Sequence, residues 1–298
     1  VTAVALDAIV KNLTVQQGAA QLWNEPQVRL VGSGVYEPRR DALAIDRLEV
    51  VADALRLMLT GKLDQISTSR VLDCRGEATY DLAKLTPLAQ TYLGNGVSFT
   101  GRETQQFQLA GPMIDVKRPD AVAWHQLQGA SKLGWEQLNL YGFLVPRNTL
   151  DATLNQGYLR TTAVEVPVGG GRVRVAPTVR IGPEPMEVRL DPGMAPDHVT
   201  ITREMANQRL QYVMPIMAGV AQVGGKFSIQ IEEFRVPIVN PAGGAISGKL
   251  TVHDVDVGPG FLTQEIASLV NLPASVSLTR ESVVDFKMIE GRIYHQNL

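Results

Sequence analysis

The sequence has 298 residues, of which 45% are hydrophobic and 19% are charged, and 28 basic and 30 acidic side chains give a net charge of −2. A chain with this apolar content is not intrinsically disordered, and the lack of a basic excess argues against a nucleic-acid-binding protein. The single Cys excludes an internal disulfide framework and a cysteine-based zinc site.

The ends of the sequence indicate an excerpt of a longer polypeptide. There is no initiator Met, and residues 294–298 have the pattern of a strand. No apolar run approaches the ~20 residues that cross a bilayer as a helix. Asp7 and Lys11 interrupt the apolar N-terminal residues, so no signal peptide or anchor is predicted within this sequence.

Alternation of apolar residues with a period of two dominates the chain and predicts β-strands. The apolar positions that share a parity include Leu55, Leu57 and Leu59, Val97 and Phe99, Phe107 and Leu109, Val173 and Val175, Val179 and Ile181, and Met186, Val188 and Leu190. Strands with one apolar and one polar face are typical of antiparallel sheets. We therefore predict a mainly β fold, of the α+β kind, built on a long antiparallel sheet.

Glycine-rich turns separate many of these strands. Gly169, Gly170 and Gly171 lie between a strand pattern over residues 161–166 and another over residues 173–181, which predicts a hairpin. A phosphate-binding loop is excluded, because no Lys-Ser/Thr pair and no helix pattern follow the glycines.

Two strand patterns change parity, which predicts β-bulges. In the first, the apolar residues before the change are Phe227, Ile229 and Ile231, and those after it are Phe234, Val236 and Ile238. A bulge at Glu232-Glu233 would return both sets to one face of the sheet. A similar change follows Leu250 and Val252. Because bulges bend strands, we expect a strongly curved sheet and not a flat one.

Two or three short helices are expected to cover this sheet. Asp81 can cap a helix in which Leu82, Leu85 and Leu88 repeat at helical spacing, with Pro87 inside it. Thr202 can cap a second helix, which extends to about residue 221 and is rich in Met. A third helix is expected over about residues 261–269.

The length predicts roughly two domains. We place the first over residues 1–115, a β-sheet segment with one short helix. We place the second over residues 116–298, a β-sheet segment with two short helices. The polar stretch from Asp115 to Asp120 marks this boundary, and residues 191–197 are an alternative.

The sequence contains no motif for catalysis or for metal binding. Its four histidines are not spaced as a helical metal-binding pair, and no serine-hydrolase motif is present. Cys74 lies in a strand pattern and is expected to be a buried or half-buried structural thiol. We interpret His253, Asp254 and Asp256 as the polar face of a strand. We therefore predict no catalytic residue, no metal site and no cofactor.

Residues 248–253 (GKLTVH), followed by residues 282–295 (SVVDFKMIEGRIYH), resemble the C-terminal part of AsmA-like proteins. That family belongs with the TamB-type repeating β-groove proteins of the Gram-negative envelope. Residues 76–82 and 96–101, on either side of the first predicted helix, look similar to the same arrangement. The clear resemblance covers about the last hundred residues.

The resemblance implies a non-enzymatic protein that binds or conducts phospholipid along an apolar β-groove between the inner and outer membranes. It also implies a position on the periplasmic side of the cell envelope, with an inner-membrane anchor outside this sequence. Its implied partners are phospholipid and envelope membrane proteins, and nucleic acid is not among them. Our candidates for the groove lining share one face of their strands or belong to the Met-rich helix: Phe227, Ile229, Ile231, Leu250, Val252, Val284, Phe286, Met288, Met214 and Met217.

A second hypothesis is a structural or adhesive β-rich envelope domain whose apolar face is a closed core without lipid cargo. The Met-rich helix would then cover the sheet instead of lining a groove. An enzyme whose active site is not visible in local motifs is a third and weaker hypothesis.

Overall fold

The computed structural model describes residues 1–17, 20–115, 118–140, 142–182, 185–201, 222–258, 276–278 and 281–296. The chain is mainly β, and most of its strands belong to one large antiparallel sheet. This confirms the predicted fold class. The helices predicted over residues 202–221 and 261–269 lie outside the described residues.

Contacts divide the chain into two compact units. The first comprises residues 1–137, 147–162 and 179–186, and the second comprises residues 138–146, 163–178 and 187–298. Residue 115, where the sequence suggested a boundary, lies within the first unit. Three of the five divisions fall inside strands, and the other two, at 162/163 and 186/187, fall between strands.

The described residues before position 162 form twelve strands. They are β1 (Thr2–Gln17), β2 (Ala20–Glu37), β3 (Ala42–Val51), β4 (Leu55–Asp64), β5 (Val71–Asp81), β6 (Val97–Thr100), β7 (Arg102–Pro112), β8 (Ile114–Asp115), β9 (Arg118–Val122), β10 (Gln128–Leu140), β11 (Phe143–Asn155) and β12 (Tyr158–Thr161). A helix, α1 (Leu82–Leu93), follows β5, and a 3₁₀ turn covers Trp124–Gln126. Strands β1 to β5 pair consecutively and antiparallel, and β7 pairs with β5 and β10.

Twelve further strands follow. They are β13 (Val164–Val168), β14 (Gly171–Val175), β15 (Thr178–Arg180), β16 (Glu187–Leu190), β17 (Gly193–Met194), β18 (Pro196–Asp197), β19 (Val199–Thr200), β20 (Gln222–Pro237), β21 (Ala245–Gly258), β22 (Val276–Leu278), β23 (Ser282–Ile289) and β24 (Arg292–Gln296), with a 3₁₀ turn at Pro241–Gly243. In the second unit, β20, β21, β23 and β24 form an antiparallel meander. Strands β13, β14 and β18 form a separate three-stranded sheet.

The predicted first helix is confirmed. The Asp81 carboxylate accepts a hydrogen bond from the Ala83 N–H at 3.1 Å, which satisfies one of the unpaired donors at the helix start. Pro87 lies inside the helix, as predicted. The helix ends at Gly94, whose φ of 85° favours glycine and turns the chain toward β6.

The glycine hairpin is confirmed, with Val168 opposite Gly171. The strand predicted over residues 173–181 is wrong in its length. Strand β14 ends at Val175 and β15 begins at Thr178. Pro177 lies between them and lacks the N–H that a continuous ladder needs.

Both bulges are confirmed by the register between β20 and β21. Ile231 pairs with Gly248 and Glu233 pairs with Ser247, so Glu232 is the additional residue. Phe234 then pairs with Ile246 and returns to the face of Ile231. A second shift lies between Gly224 and Lys226.

Candidate functional site

The apolar face predicted from the sequence exists on strands β20, β21 and β23. Ile229 lies opposite Leu250, and Leu250 lies opposite Val284. Phe227 lies opposite Val252 in the neighbouring row. Directly paired residues point to the same face of a sheet, so these five side chains form one apolar surface, which we call the apolar face.

Three further candidates extend the apolar face toward the bulge. Ile231 and Phe286 flank Gly248 from either side, and Met288 lies opposite Ile246. An added Cβ at Gly248 would lie 2.2 Å from the Gln230 carbonyl oxygen, so glycine permits the close approach of β20 and β21 here. Met214 and Met217, the remaining two candidates, lie outside the described residues.

Burial divides the apolar face into two parts. Phe227, Leu250, Val252 and Val284 are at most 1% exposed and belong to the core. The Phe227 ring also packs edge-on against Phe143, with 6.0 Å between the ring centroids. By contrast, Ile229, Ile231, Phe286 and Met288 are only half-buried. The inner part therefore stabilises the fold, and the outer part is accessible.

A cavity of about 270 Å³ adjoins the outer part of the apolar face. Ile231 lines it from β20, and Gly193 of β17 pairs directly with Ile231. Further apolar side chains of its wall include Val175, Leu190, Met194 and Ala195, and the charged residues Arg174 and Asp191 also line it. The volume approaches the lower end of the range typical of small-molecule sites, about 300–1,000 Å³. Apolar groups of a ligand can thus reach the face at Ile231.

The opposite face of β20 carries a polar network that sequence analysis missed. The Ser228 Oγ lies 3.0 Å from the His253 Nε2, and the His253 Nδ1 lies 2.8 Å from the Glu281 Oε1. Ser228 and His253 come together because Ser228 pairs with Thr251, two residues before His253. The three residues are connected in the same order as a nucleophile, base and orienting acid of a hydrolase.

The surroundings of Ser228 argue against its use as a nucleophile. Ser228 is 3% exposed, and its Oγ accepts a hydrogen bond from the His198 N–H at 3.0 Å. Glu281, in the position of the orienting acid, is 68% exposed at its side chain. A nucleophile needs an open approach for a substrate carbonyl and donors for the resulting oxyanion. The network instead ties β20, β21 and the start of β23 together.

A second histidine extends this network. The His198 ring stacks on the His253 ring, with centroids 4.3 Å apart and planes 9° apart. The His198 Nδ1 lies 2.7 Å from the Asp197 Oδ1, and the Arg172 Nε donates to the other Asp197 oxygen at 3.1 Å. The hydrogen bond with His198 is the main cause that holds the pKa of Asp197 below its usual 3.8, and Arg172 adds to it. Among the described residues, no group of three or more His, Cys, Asp or Glu side chains is placed to hold a metal ion.

A larger cavity, of about 860 Å³, lies in the first unit. It borders strands β4, β5, β7 and β10, and its lining mixes charged, amide and apolar residues, among them Met58, Thr60, Arg75, Glu77, Gln106 and Lys132. This mixture does not match a single class of ligand. Cys74, in the same sheet, is buried, and burial raises the pKa of its thiol, which confirms the prediction of a buried thiol.

The sequence signals of these features differ in strength. The apolar face was visible because its residues repeat with a period of two within each strand. The Ser228 network was not, because its members are 25 and 28 residues apart along the chain and meet only through strand register. The adjacent polar residues at 253–256 drew attention to His253, but gave no indication of its two partners.

Comparisons with known proteins give no relative for this chain. Neither a protein-family model, nor a curated protein, nor a solved structure matches it. Within the described part of the chain, no helix has the length and apolar character required to cross a membrane.

Proposed function

We propose that this chain is a non-enzymatic protein that binds phospholipid by its acyl chains at the outer part of the apolar face. The observation that carries this proposal is the placement of Ile231, which belongs to the apolar face and also lines the 270 Å³ cavity. Ile229, Phe286 and Met288 continue the half-buried surface beside it. A long apolar ligand gains about 25 cal/mol for each Å² of apolar surface that it removes from water.

The resemblance to AsmA-like proteins supports the biological setting of the proposal. In that setting, the chain lies on the periplasmic side of a Gram-negative envelope, is anchored in the inner membrane by a segment outside this sequence, and conducts phospholipid between the two membranes. Phospholipid and envelope membrane proteins are its proposed partners. The groove then comprises Ile229, Ile231, Phe286 and Met288, while the four buried candidates support it from the core.

A closed structural domain is the second candidate function, and the complete burial of Phe227, Leu250, Val252 and Val284 favours it. The two functions differ in what covers the half-buried residues. A structural domain needs only its own chain or a protein neighbour there, whereas a lipid-binding domain retains lipid through purification.

Native mass spectrometry with lipid extraction tests the proposal. Purified protein is expected to carry phospholipid, and Phe286→Asp is expected to lose it while remaining folded. Val283→Asp is the matched control, because Val283 lies three residues before Phe286 in β23, points to the opposite face and is 45% exposed. A lipid-free, folded wild-type protein would contradict the proposal. If the single variants Phe286→Asp and Ile229→Asp both unfold, the result would favour the closed domain.

A further inference from the structure

The polar face of the meander contains a separate cavity of about 520 Å³ in the second unit. Residues from β20, β21, β23 and β24 line it, chiefly Glu232, Ser247, Lys249, Asp285, Lys287 and Tyr294. These residues alternate with the apolar face along their strands. Ser247 and Lys249 flank Gly248, and Asp285 and Lys287 flank Phe286. The charged and hydroxyl groups of the cavity therefore belong to the polar side of the sheet, and Gly248 and Phe286 also border it.

Strand register places two lysines on neighbouring strands at this cavity. Lys249 pairs with Asp285, and Lys287 pairs with Ser247, so the two lysines are diagonal neighbours across β21 and β23. Diagonal neighbours are about 7–8 Å apart, within reach of long side chains. Among the ion pairs formed by the described residues, none includes Lys249 or Lys287. Two positive charges are thus available to one anion.

Two hydroxyl groups flank one of these lysines. Ser247 lies opposite Lys287 on β21, and Tyr294 lies opposite Lys287 on β24. The three side chains form a row of hydroxyl, ammonium and hydroxyl across three strands. Hydroxyl and ammonium donors together match the several acceptor oxygens of a phosphate group, for which lysine supplies a point charge.

The two carboxylates of the cavity restrict the ligand further. Asp285 lies opposite Lys249, and Glu232 projects into the cavity from the bulge of β20. Together with the lysines they leave the cavity with no net charge. A simple anion would be repelled by these carboxylates, whereas a ligand with an amine beside its phosphate would pair with both signs of charge.

We propose that this cavity binds the phosphate-amine group of a zwitterionic compound, with the phosphate at Lys249 and Lys287 and the amine at Glu232. The ligand's source is either a phospholipid headgroup or a free phosphorylated amine, which share this chemistry. Because the site lies on the polar face, it does not depend on the proposed binding of acyl chains at the apolar face.

Isothermal titration with O-phosphoethanolamine tests the site directly. Saturable binding is expected, and Lys249→Gln and Lys287→Gln should each weaken it about tenfold or more, the loss of one charge-assisted hydrogen bond. Lys226→Gln is the matched control, because Lys226 is exposed on the same face but does not line the cavity. Inorganic phosphate should bind more weakly than the zwitterion. No saturable binding, equal binding by all variants, or tighter binding of inorganic phosphate would overturn the proposal.

Two further measurements are needed. The first distinguishes a lipid headgroup from a free phosphorylated amine, and the second tests the polar site independently of acyl-chain binding. If the source is a lipid, vesicles that contain phosphatidylethanolamine should bind the wild type and lose binding to Lys287→Gln. If only the soluble compound responds to Lys287→Gln, the ligand is a free phosphorylated amine. Ile229→Asp, at a residue of the apolar face that does not line the cavity, should leave the titration with O-phosphoethanolamine unchanged, so failure of acyl-chain binding and failure of the polar site give different results.

Discussion

The Ser228 Oγ and the His253 Nε2 are 3.0 Å apart on the polar face of the sheet whose other face carries the buried Phe227. Ser228 thus connects a hydrogen-bonded network to a strand that also anchors the core. The same Oγ receives the His198 N–H. Three segments that are distant along the chain depend on one hydroxyl group, which gives Ser228 a structural role.

Ser228→Ala is expected to lower the free energy of unfolding by about 1 kcal/mol, because the His198 N–H loses its acceptor in a part-buried hydrogen bond. Urea denaturation measures this loss, and Ser282→Ala, an exposed serine on β23, should change it by less than about 0.5 kcal/mol. A fluorophosphonate probe should not label Ser228 in the folded wild type. Labelling that disappears in Ser228→Ala would show a reactive nucleophile and contradict the structural role.

Asp197 makes the folding stability of the protein depend on pH in the acidic range. The hydrogen bond with His198 and the Arg172 contact lower the pKa of this carboxyl in the folded state. A lowered folded pKa contributes stability above the unfolded value, near 3.8, and this contribution is lost as pH falls through the folded value. Asp197→Asn should therefore flatten the loss of stability below about pH 4, measured by urea denaturation across pH. Asp191→Asn, at an exposed position in the same unit, should keep the wild-type pH dependence.

Tyr80 and Gly134 form a reciprocal pair in the first unit. The Tyr80 hydroxyl donates to the Gly134 carbonyl oxygen at 3.0 Å and accepts the Gly134 N–H at 2.7 Å. Tyr80→Phe would leave both buried backbone groups without this partner, and we expect a loss of about 2–4 kcal/mol in the free energy of unfolding. Tyr294→Phe, at a half-exposed tyrosine, is the control. An unchanged denaturation midpoint in Tyr80→Phe would show that water replaces the hydroxyl.

The protonation of Tyr80 also leads us to expect a loss of folding stability at alkaline pH. Burial is the main cause that raises the pKa of Tyr80 above 10. A raised folded pKa contributes stability that is complete below the unfolded value and is lost as pH rises through the folded value. Denaturation between pH 9 and pH 12 should therefore show a loss of stability that is smaller in Tyr80→Phe. Parallel curves for both proteins would contradict this assignment.

Local sequence patterns predicted much of the fold. The features that they did not predict depend on how the strands pair. Period-two alternation predicted the strands, and the parity change at Glu232-Glu233 predicted a bulge that the register confirms. The Asp81 cap predicted α1, since a cap and its first turn are contiguous. Pro177 shortened a predicted strand because one missing N–H breaks a ladder.

The candidate site also has a part that the sequence predicted and a part that it did not. Parity placed Phe227, Ile229, Leu250 and Val284 on one face, but parity cannot distinguish a core position from an accessible one, because both are apolar. The distinction depends on what packs over each residue. The meeting of Ser228 with His253 likewise requires the pairing of β20 with β21, which sequence spacing does not contain.

Gly76 permits a close approach between strands β4 and β5 of the first unit. An added Cβ at this position would lie 2.0 Å from the Met58 carbonyl oxygen on β4. That oxygen belongs to the backbone and cannot move without disturbing the pairing of β4 with β5, so Gly76→Ala should cost more than about 2 kcal/mol of stability. Gly32→Ala is the matched control in β2, since its Cβ would lie 3.2 Å from the flexible Leu48 Cδ1. Denaturation midpoints that fall equally in both variants would show that loss of glycine, and not the contact with Met58, determines the effect.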